Sequence, residues 1–328
     1  MNVLVTGGAG FIGSHLCERL LSEGMAVSII DDLNHFYGPQ EKLDNLDRIR
    51  LRGAVEFLQA DICETVAVER LLHQQEVEAV IHLAARVGVR PSIEDPLGYE
   101  RTNVQGTISV VEAARKAGVR RFILASSSSI YGIANQVPFR EDDTTNLPIS
   151  PYAATKLAAE KICYTYSHLY RLACCCLRFF TVYGPRQRPD LAISKFIGLI
   201  DQGEPVPVFG DGSSGRDYTY CEDVVAGIVA ALGYDCRYEV FNLGNSHPVR
   251  LTELIAAIEG AVGKPASIVH HPEQPGDVPI TYADISKAER LLGYQPATSF
   301  AAGLAQQVAW YRGQTKRKTT PARGRSAN

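Results

Sequence analysis

Short apolar runs rich in β-branched residues recur along the first half of the chain. Most are followed by a longer stretch in which apolar positions return every three or four residues. NVLVT precedes a helical pattern over 11–23, and AVSII comes next. AVEFLQ precedes a helical pattern over 64–75, AVIHLA one over 99–117, and RFILAS closes the series. Runs that are apolar on both faces, alternating with amphipathic helices, predict βαβ units and a parallel sheet covered on both sides. A further helix over 151–170, opened by Pro151, and the apolar run CCCLRFF extend the same sheet.

After Gly184 the texture changes to stretches rich in Pro, Gly and Asp, such as GPRQRPD and GEPVPVFGDGSSGRD, mixed with short helices and strands. The expected architecture is α/β: a Rossmann-type doubly wound parallel sheet over 1–180, and a smaller mixed α/β substrate domain over 181–312. Some segments of the second part are expected to return to the sheet. Residues 313–328 carry five Lys or Arg and no acid, lack apolar periodicity, and are expected to form a disordered basic tail.

The chain has 328 residues and a formal charge of −3, so with the basic tail set aside its body is distinctly acidic. That balance excludes a nucleic-acid binder. No apolar run approaches the ~18 residues that span a bilayer, and the N-terminal run is too short for a signal peptide. Eight cysteines without a CxxC spacing point to reduced thiols, a cytoplasmic location and no metal site. Cys174, Cys175 and Cys176 sit inside an apolar run and read as strand interior.

The first strand runs into Gly7, Gly8, Gly10 and Gly13 at a strand-to-helix turn. Bare backbone there approaches a pyrophosphate, and the helix start offers free N–H groups. AVSII ends in Asp31-Asp32, where an acid receives the adenosine ribose hydroxyls and repels a 2'-phosphate, which favours NAD over NADP. Asp61 follows the third strand at a height suited to adenine. Leu83-Ala84-Ala85 supplies small residues beside the cofactor.

Serines 126–129 end the fifth strand, and Tyr152 and Lys156 stand at i, i+4 on one helix face. An ammonium beside a phenol lowers a pKa otherwise near 10, and a serine hydroxyl can share the proton of a bound sugar hydroxyl.

TGGAGFIG, HLAA, SSSSIYG, PYAATK, LRFFTVYGP and GRDYTY together resemble the extended short-chain dehydrogenases, in their nucleotide-sugar epimerase and dehydratase branch, over residues 1 to about 312. The resemblance implies that Tyr152 is the base, that Lys156 tunes it and holds the nicotinamide ribose, and that Ser127 is the hydroxyl partner. It also implies cofactor contacts from Phe11, Ile12, Asn34, Ile62 and Asn103, and a homodimer built by packing helices. Dehydratases of this branch carry an Asp-Glu pair directly after the hydroxyl residue, where this chain has Ser128 and Ser129. Oxidation and re-reduction at one carbon, a 4-epimerisation, is what remains.

FFTVYGP followed by Arg188-Pro189-Asp190, and QPGDVP over 274–279, are similar to the UDP-glucuronate 4-epimerases. Arg86 and Arg186-Gln187 depart from that group. UDP-glucose or UDP-N-acetylglucosamine epimerisation stays open as an alternative, and so does a silent NAD-binding scaffold. The expected sugar-nucleotide contacts are Arg90, Ser127, Ser128, Thr181, Arg188, Arg216 and Asp277. Arg188 is expected to meet the carboxylate, with Arg186 and Arg90 in reserve, and Arg216 the diphosphate.

Overall fold

A computed structural model describes residues 1–133, 136–143, 147–272 and 278–319. In chain order its elements are β1 (Asn2–Thr6), α1 (Phe11–Ser22), β2 (Ala26–Asp31), α2 (Pro39–Arg50), β3 (Val55–Gln59), α3 (Thr65–Gln74) and β4 (Ala79–His82). There follow α4 (Val89–Glu94), α5 (Pro96–Glu100), α6 (Gly106–Lys116), β5 (Arg121–Ser127), α7 (Pro151–Tyr170), β6 (Ala173–Phe179), β7 (Thr181–Tyr183) and α8 (Ala192–Gln202). The chain continues with β8 (Pro205–Phe209), β9 (Gly215–Tyr220), α9 (Cys221–Gly233), β10 (Tyr238–Leu243), β11 (Pro248–Arg250), α10 (Leu251–Val262), β12 (Ser267–His271), α11 (Ser286–Leu292) and α12 (Phe300–Thr319).

The central sheet has the order β10-β6-β5-β4-β1-β2-β3, and all its pairings are parallel. Strands buried on both faces leave no room for polar alternation, which is why β1, β4 and β6 are nearly continuous apolar runs. One core layer takes Val3, Val5, Leu16, Ile29 and Ile81 against α1 and α9. The other takes Leu4, Val80, Val110, Phe122 and Cys163 against α3, α6 and α7. The order reverses between β1 and β4, and this switch point opens the crevice where the site lies.

The expected sheet is present, and β10 is the segment from the second half that returns to it. The remaining strands form two small sheets, β11-β9-β7 and β12-β8. α7 matches its expected span, because Pro151 sits in the first turn and the Ser150 hydroxyl accepts from the Ala153 N–H at 3.2 Å. Three readings need correction. The helical pattern over 99–117 is broken by a π-helical segment, Arg101–Gln105, between α5 and α6. α2 fills the stretch between the second and third strands, for which no element was expected. The tail is ordered further than expected, since α12 continues through residues 313–319, and the rest of the expected tail lies outside the described residues. No described helix is long and apolar enough to cross a membrane.

Candidate active site

The turn between β1 and α1 is shaped by glycine where nothing larger fits. Gly7 adopts φ +71°, and a Cβ there would lie 2.8 Å from the Ala84 backbone nitrogen; at Gly13 it would lie 2.2 Å from the Gly7 carbonyl oxygen. α1 starts at Phe11 and Ile12 with no side-chain cap and no acid in its first turn. Its leading N–H groups are therefore left for an anion. A dinucleotide diphosphate fits this cradle, with Leu83, Ala84 and Ala85 forming the facing wall.

The acids after β2 divide in a way the sequence does not announce. Asp31 is buried, and its carboxylate accepts from the Ala9 N–H (3.2 Å), the Leu33 N–H (2.9 Å) and Lys42 Nζ (3.1 Å). Burial pushes its pKa up against the pull of Lys42. Asp31 thus fixes the glycine turn from beneath. Asp32 is exposed and accepts from the Asn34 N–H at 2.8 Å. Lys42, which serves both acids, was not singled out from sequence; its signal is a lysine on the inward face of a helix that follows an acidic strand end. Asp61 at the third strand end accepts from the Cys63 N–H (2.9 Å) and pairs with Arg101 (2.7 Å), while Ile62 is buried beside Gly106.

Asn103, on the π-helical segment, uses its amide as a clamp. Its Oδ1 accepts from the Arg86 N–H (2.8 Å), and its Nδ2 donates to the Arg86 carbonyl (2.9 Å) and the Thr155 hydroxyl (3.0 Å). It fixes the loop after β4 against α7.

Ser127 ends β5 and Tyr152 stands in the first turn of α7, where, against burial, the Ser127 hydroxyl pulls the Tyr152 pKa down. The Ser127 oxygen also accepts from the Ser129 hydroxyl (3.0 Å) and N–H (3.2 Å), with Ser128 in the same turn. Burial raises the Tyr152 pKa, while the Ser127 hydrogen bond and the Arg188 guanidinium pull it down. Lys156, one turn from Tyr152 on α7, is buried and its Nζ donates to the Ala125 carbonyl at 2.8 Å. Burial pulls the Lys156 pKa down to about 8, against an upward pull from Glu160.

Glu160 continues the face of Tyr152 and Lys156 one turn further along α7, and sequence reading missed it. It accepts from the Ser126 hydroxyl (2.5 Å) and forks with Arg178 at 3.0 and 2.9 Å. Arg178 also donates to the Tyr131 hydroxyl (2.9 Å), which donates to Asn242 (2.6 Å). β5, β6, β10 and α7 are thereby tied together beneath the catalytic groups.

On the substrate side, Thr181 opens β7, two residues past β6. Arg188 is buried and forks onto Asp190 through Nε (2.9 Å) and Nη2 (2.5 Å), with its guanidinium 4.9 Å from the Phe36 ring centre. Arg186 pairs with Glu18 at 2.7 Å and donates to Ser14 at 3.2 Å. Arg90 stacks on Phe209 at 4.8 Å. Arg216 donates to the Gly215 carbonyl (2.8 Å), and its neighbour Asp217 is buried and saturated by the Asn245, Ser246 and Ala283 N–H groups. Asp277 lies outside the described residues.

A hydroxyl and a phenol at the carboxyl edge of a parallel sheet, next to a glycine cradle at its switch point, mark the short-chain dehydrogenase class of site. Residues 4–307 match the family described as GDP-mannose 4,6 dehydratase, and the chain belongs to that family. It is 42% identical over 308 residues to a UDP-glucuronate 4-epimerase of Thermodesulfobacterium geofontis, covering 94% of this chain and 95% of that protein. Its structure is similar, with TM-score 0.90 and 37% identity, to a UDP-glucuronic acid 4-epimerase from Bacillus cereus solved with UDP-glucuronic acid and NAD, covering 96% and 100% of the two chains. It is also similar to a UDP-glucose 4-epimerase of Thermotoga maritima solved with UDP-glucose, with TM-score 0.88 and 34% identity over 96% and 100%.

Proposed function

We propose that the protein is an NAD-dependent UDP-glucuronate 4-epimerase, interconverting UDP-glucuronate and UDP-galacturonate. The observation that carries this reading is the placement of Ser127 at the end of β5 with Tyr152 and Lys156 in the first turns of α7, where the positions after Ser127 hold hydroxyls (Ser128, Ser129) rather than the dehydratases' carboxyl pair. The 42% identity to a protein of that name supports the substrate. Residues 1–180 with β10 hold NAD, and the remainder holds the sugar nucleotide.

Gly7, Gly10 and Gly13 let the cofactor diphosphate approach the leading N–H groups of α1 at Phe11 and Ile12, Asp31, Asp32 and Asn34 border the adenosine ribose, and Lys156 stands at the inner end. NAD bound there supplies hydride abstraction and return at C4. Tyr152 removes the C4 hydroxyl proton as the hydride leaves and returns it after the sugar has presented its other face; Ser127 holds that hydroxyl in place. Ser128 and Thr181 offer hydroxyl donors to the C6 carboxylate, and Arg188 its charge. Arg216 faces the UDP diphosphate.

Incubation with UDP-glucuronate, UDP-glucose and UDP-N-acetylglucosamine separately, followed by resolution of C4 epimers, tests the reading. UDP-galacturonate is the expected main product. Epimerisation of UDP-glucose alone would establish the second reading, which the fork of Arg188 onto Asp190 favours, because a guanidinium already paired has less to give a carboxylate.

We further infer a homodimer. Leu97 on α5, Ile108 on α6, and Tyr164, Leu169 and Tyr170 on α7 are exposed apolar side chains on packed neighbouring helices. A cytoplasmic location is supported by eight cysteines that are all free. Size-exclusion chromatography with light scattering that returns a monomer would refute the dimer.

A further inference from the structure

The three consecutive cysteines of β6 are not equivalent. Strand alternation turns Cys174 and Cys176 into the layer beneath α7, where they meet Cys163 and are fully buried. Cys175 points to the opposite layer. There its Sγ lies 3.2 Å from Sγ of Cys236, a residue 61 positions away in the connection between α9 and β10. That separation is within about 1.2 Å of a covalent S–S bond. The two backbones are already neighbours, since Cys174 pairs with Tyr238 in the β6–β10 register and the Cys174 N–H donates to the Arg237 carbonyl at 3.0 Å.

We propose that Cys175 and Cys236 form a reversible disulfide in the folded protein, made by oxidation of Cys236 with a hydroperoxide. The two thiols divide the labour. Cys236 is partly exposed between the exposed residues Asp235 and Arg237, so an oxidant reaches it, whereas Cys175 is 3% exposed and is reached by its partner alone. The Cys175 hydrogen bond, with help from the Arg121 guanidinium, pulls the Cys236 thiol below its ordinary value against burial and the Glu239 and Asp235 charges, and thiolate character is what peroxide selects. Cys63, the other partly exposed cysteine, is pushed up to about 11 by burial and Asp61, and is therefore the poorer target.

In the first step the Cys236 thiolate attacks one peroxide oxygen, the O–O bond breaks, and Cys236 becomes a sulfenic acid while the other oxygen leaves as water after taking a proton. In the second step Cys175 sulfur attacks the Cys236 sulfur; the S–O bond breaks, and hydroxide leaves with the Cys175 proton as a second water. Two thiols lose two electrons and hydrogen peroxide gains them. The product covalently closes the segment from β6 through β7, the loop over 184–190, α8, β8, β9 and α9 to the start of β10. This segment contains Thr181, Arg188 and Arg216, so the bond staples the substrate-side elements to the sheet.

The test treats the full-length protein, under native conditions, with hydrogen peroxide, quenches with catalase, alkylates the remaining thiols and maps peptides by mass. A Cys175–Cys236 linked peptide, about 2 Da lighter than the sum of its thiol parts and separated by dithiothreitol, is expected. The oxidised protein should melt roughly 5 °C higher than the reduced one, because the bond removes loop freedom from the unfolded chain. Cys236→Ser should abolish the link and retain basal activity. Cys175→Ser should stop Cys236 at the sulfenic acid, which dimedone traps. Cys236 oxidised in the wild type with Cys175 still alkylatable, a link that forms only in denaturant, or a lowered melting temperature would overturn the proposal.

Discussion

The glycine turn after β1 and the arginine-bearing loop after β7 border the same crevice, yet they are specified differently. In the turn, backbone makes the site: Gly7 and Gly13 leave no room for a Cβ, and Asp31 braces Ala9 from below. In the loop, long side chains make the site, and what each does depends on its folded partner. Arg186 is taken by Glu18 and Arg188 by Asp190, although the two arginines are two residues apart in one motif. Local sequence therefore dictates the first region almost completely, while in the second it only names the candidates.

The largest effect is expected where the two regions converge. Tyr152→Phe should lower turnover by ~10²–10⁴-fold and leave NAD binding intact, since it removes the proton carrier and little packing. Near wild-type turnover, measured on UDP-glucuronate, would take Tyr152 out of the mechanism. Glu160→Gln tests the scaffold beneath. It strands the Arg178 guanidinium in a site where both partners are buried, and loss of one partner of such a pair costs about 3–5 kcal/mol. Urea unfolding that shows a loss under about 1 kcal/mol would mean that the network is not held by this pair.

What was legible follows the same division. The sheet, α7, the glycine cradle and the Ser127, Tyr152 and Lys156 set were readable because each rests on local periodicity or fixed spacing. The inward turn of Asp31 was not, because it depends on Lys42 arriving from α2, a helix whose mostly polar sequence gave no apolar stripe strong enough to register. The pull of Arg188 on the Tyr152 phenol was not legible for a similar reason: it stands 36 positions further on, and no helical spacing encodes that. Glu160 was hidden in plain view, one turn beyond Lys156, since its meaning depends on Arg178 from β6.

A smaller effect separates two uses of Arg188. If its charge serves the substrate carboxylate as well as Asp190, Arg188→Ala should raise KM for UDP-glucuronate and narrow its advantage over UDP-glucose by about 1–3 kcal/mol, roughly five- to 150-fold in kcat/KM. Asp190→Asn, which frees the fork while retaining the arginine, should move the preference the other way. Unchanged preference in both variants would reduce Arg188 to a structural ion pair. On the turn side, Asp31→Ala should loosen the fold as well as NAD binding, whereas Asp32→Ala should weaken NAD binding and spare stability; equal melting temperatures for the two would contradict the bracing role of Asp31.

The mildest test uses two buried histidines, one in each region. His82 lies between Thr6 (2.7 Å) and Thr107 (3.2 Å) beneath the cofactor wall; burial and then the Lys156 charge pull its pKa to about 3. His15, on α1, sits 2.9 Å from the Pro185 carbonyl at the base of the arginine loop; burial and then Arg186 pull its pKa to about 4, against the upward pull of that carbonyl. The ordinary value is 6.5 for both. Each contribution to stability is therefore fully present above pH 6.5. As pH falls below it, the unfolded chain takes up a proton that the native state refuses, and stability drops by about 1.4 kcal/mol per pH unit for each histidine. The slope from His15 ends near pH 4 and that from His82 near pH 3. His82→Gln and His15→Gln should each flatten the acid limb by one proton between pH 6 and 5, measured by urea unfolding. Arg186→Met should relieve only His15: its folded pKa rises toward 6.5, the window of acid loss shortens, and the limb flattens at its lower end first. If Arg186→Met leaves the wild-type limb unchanged down to pH 4, the arginine loop and α1 are not electrically coupled as the geometry requires.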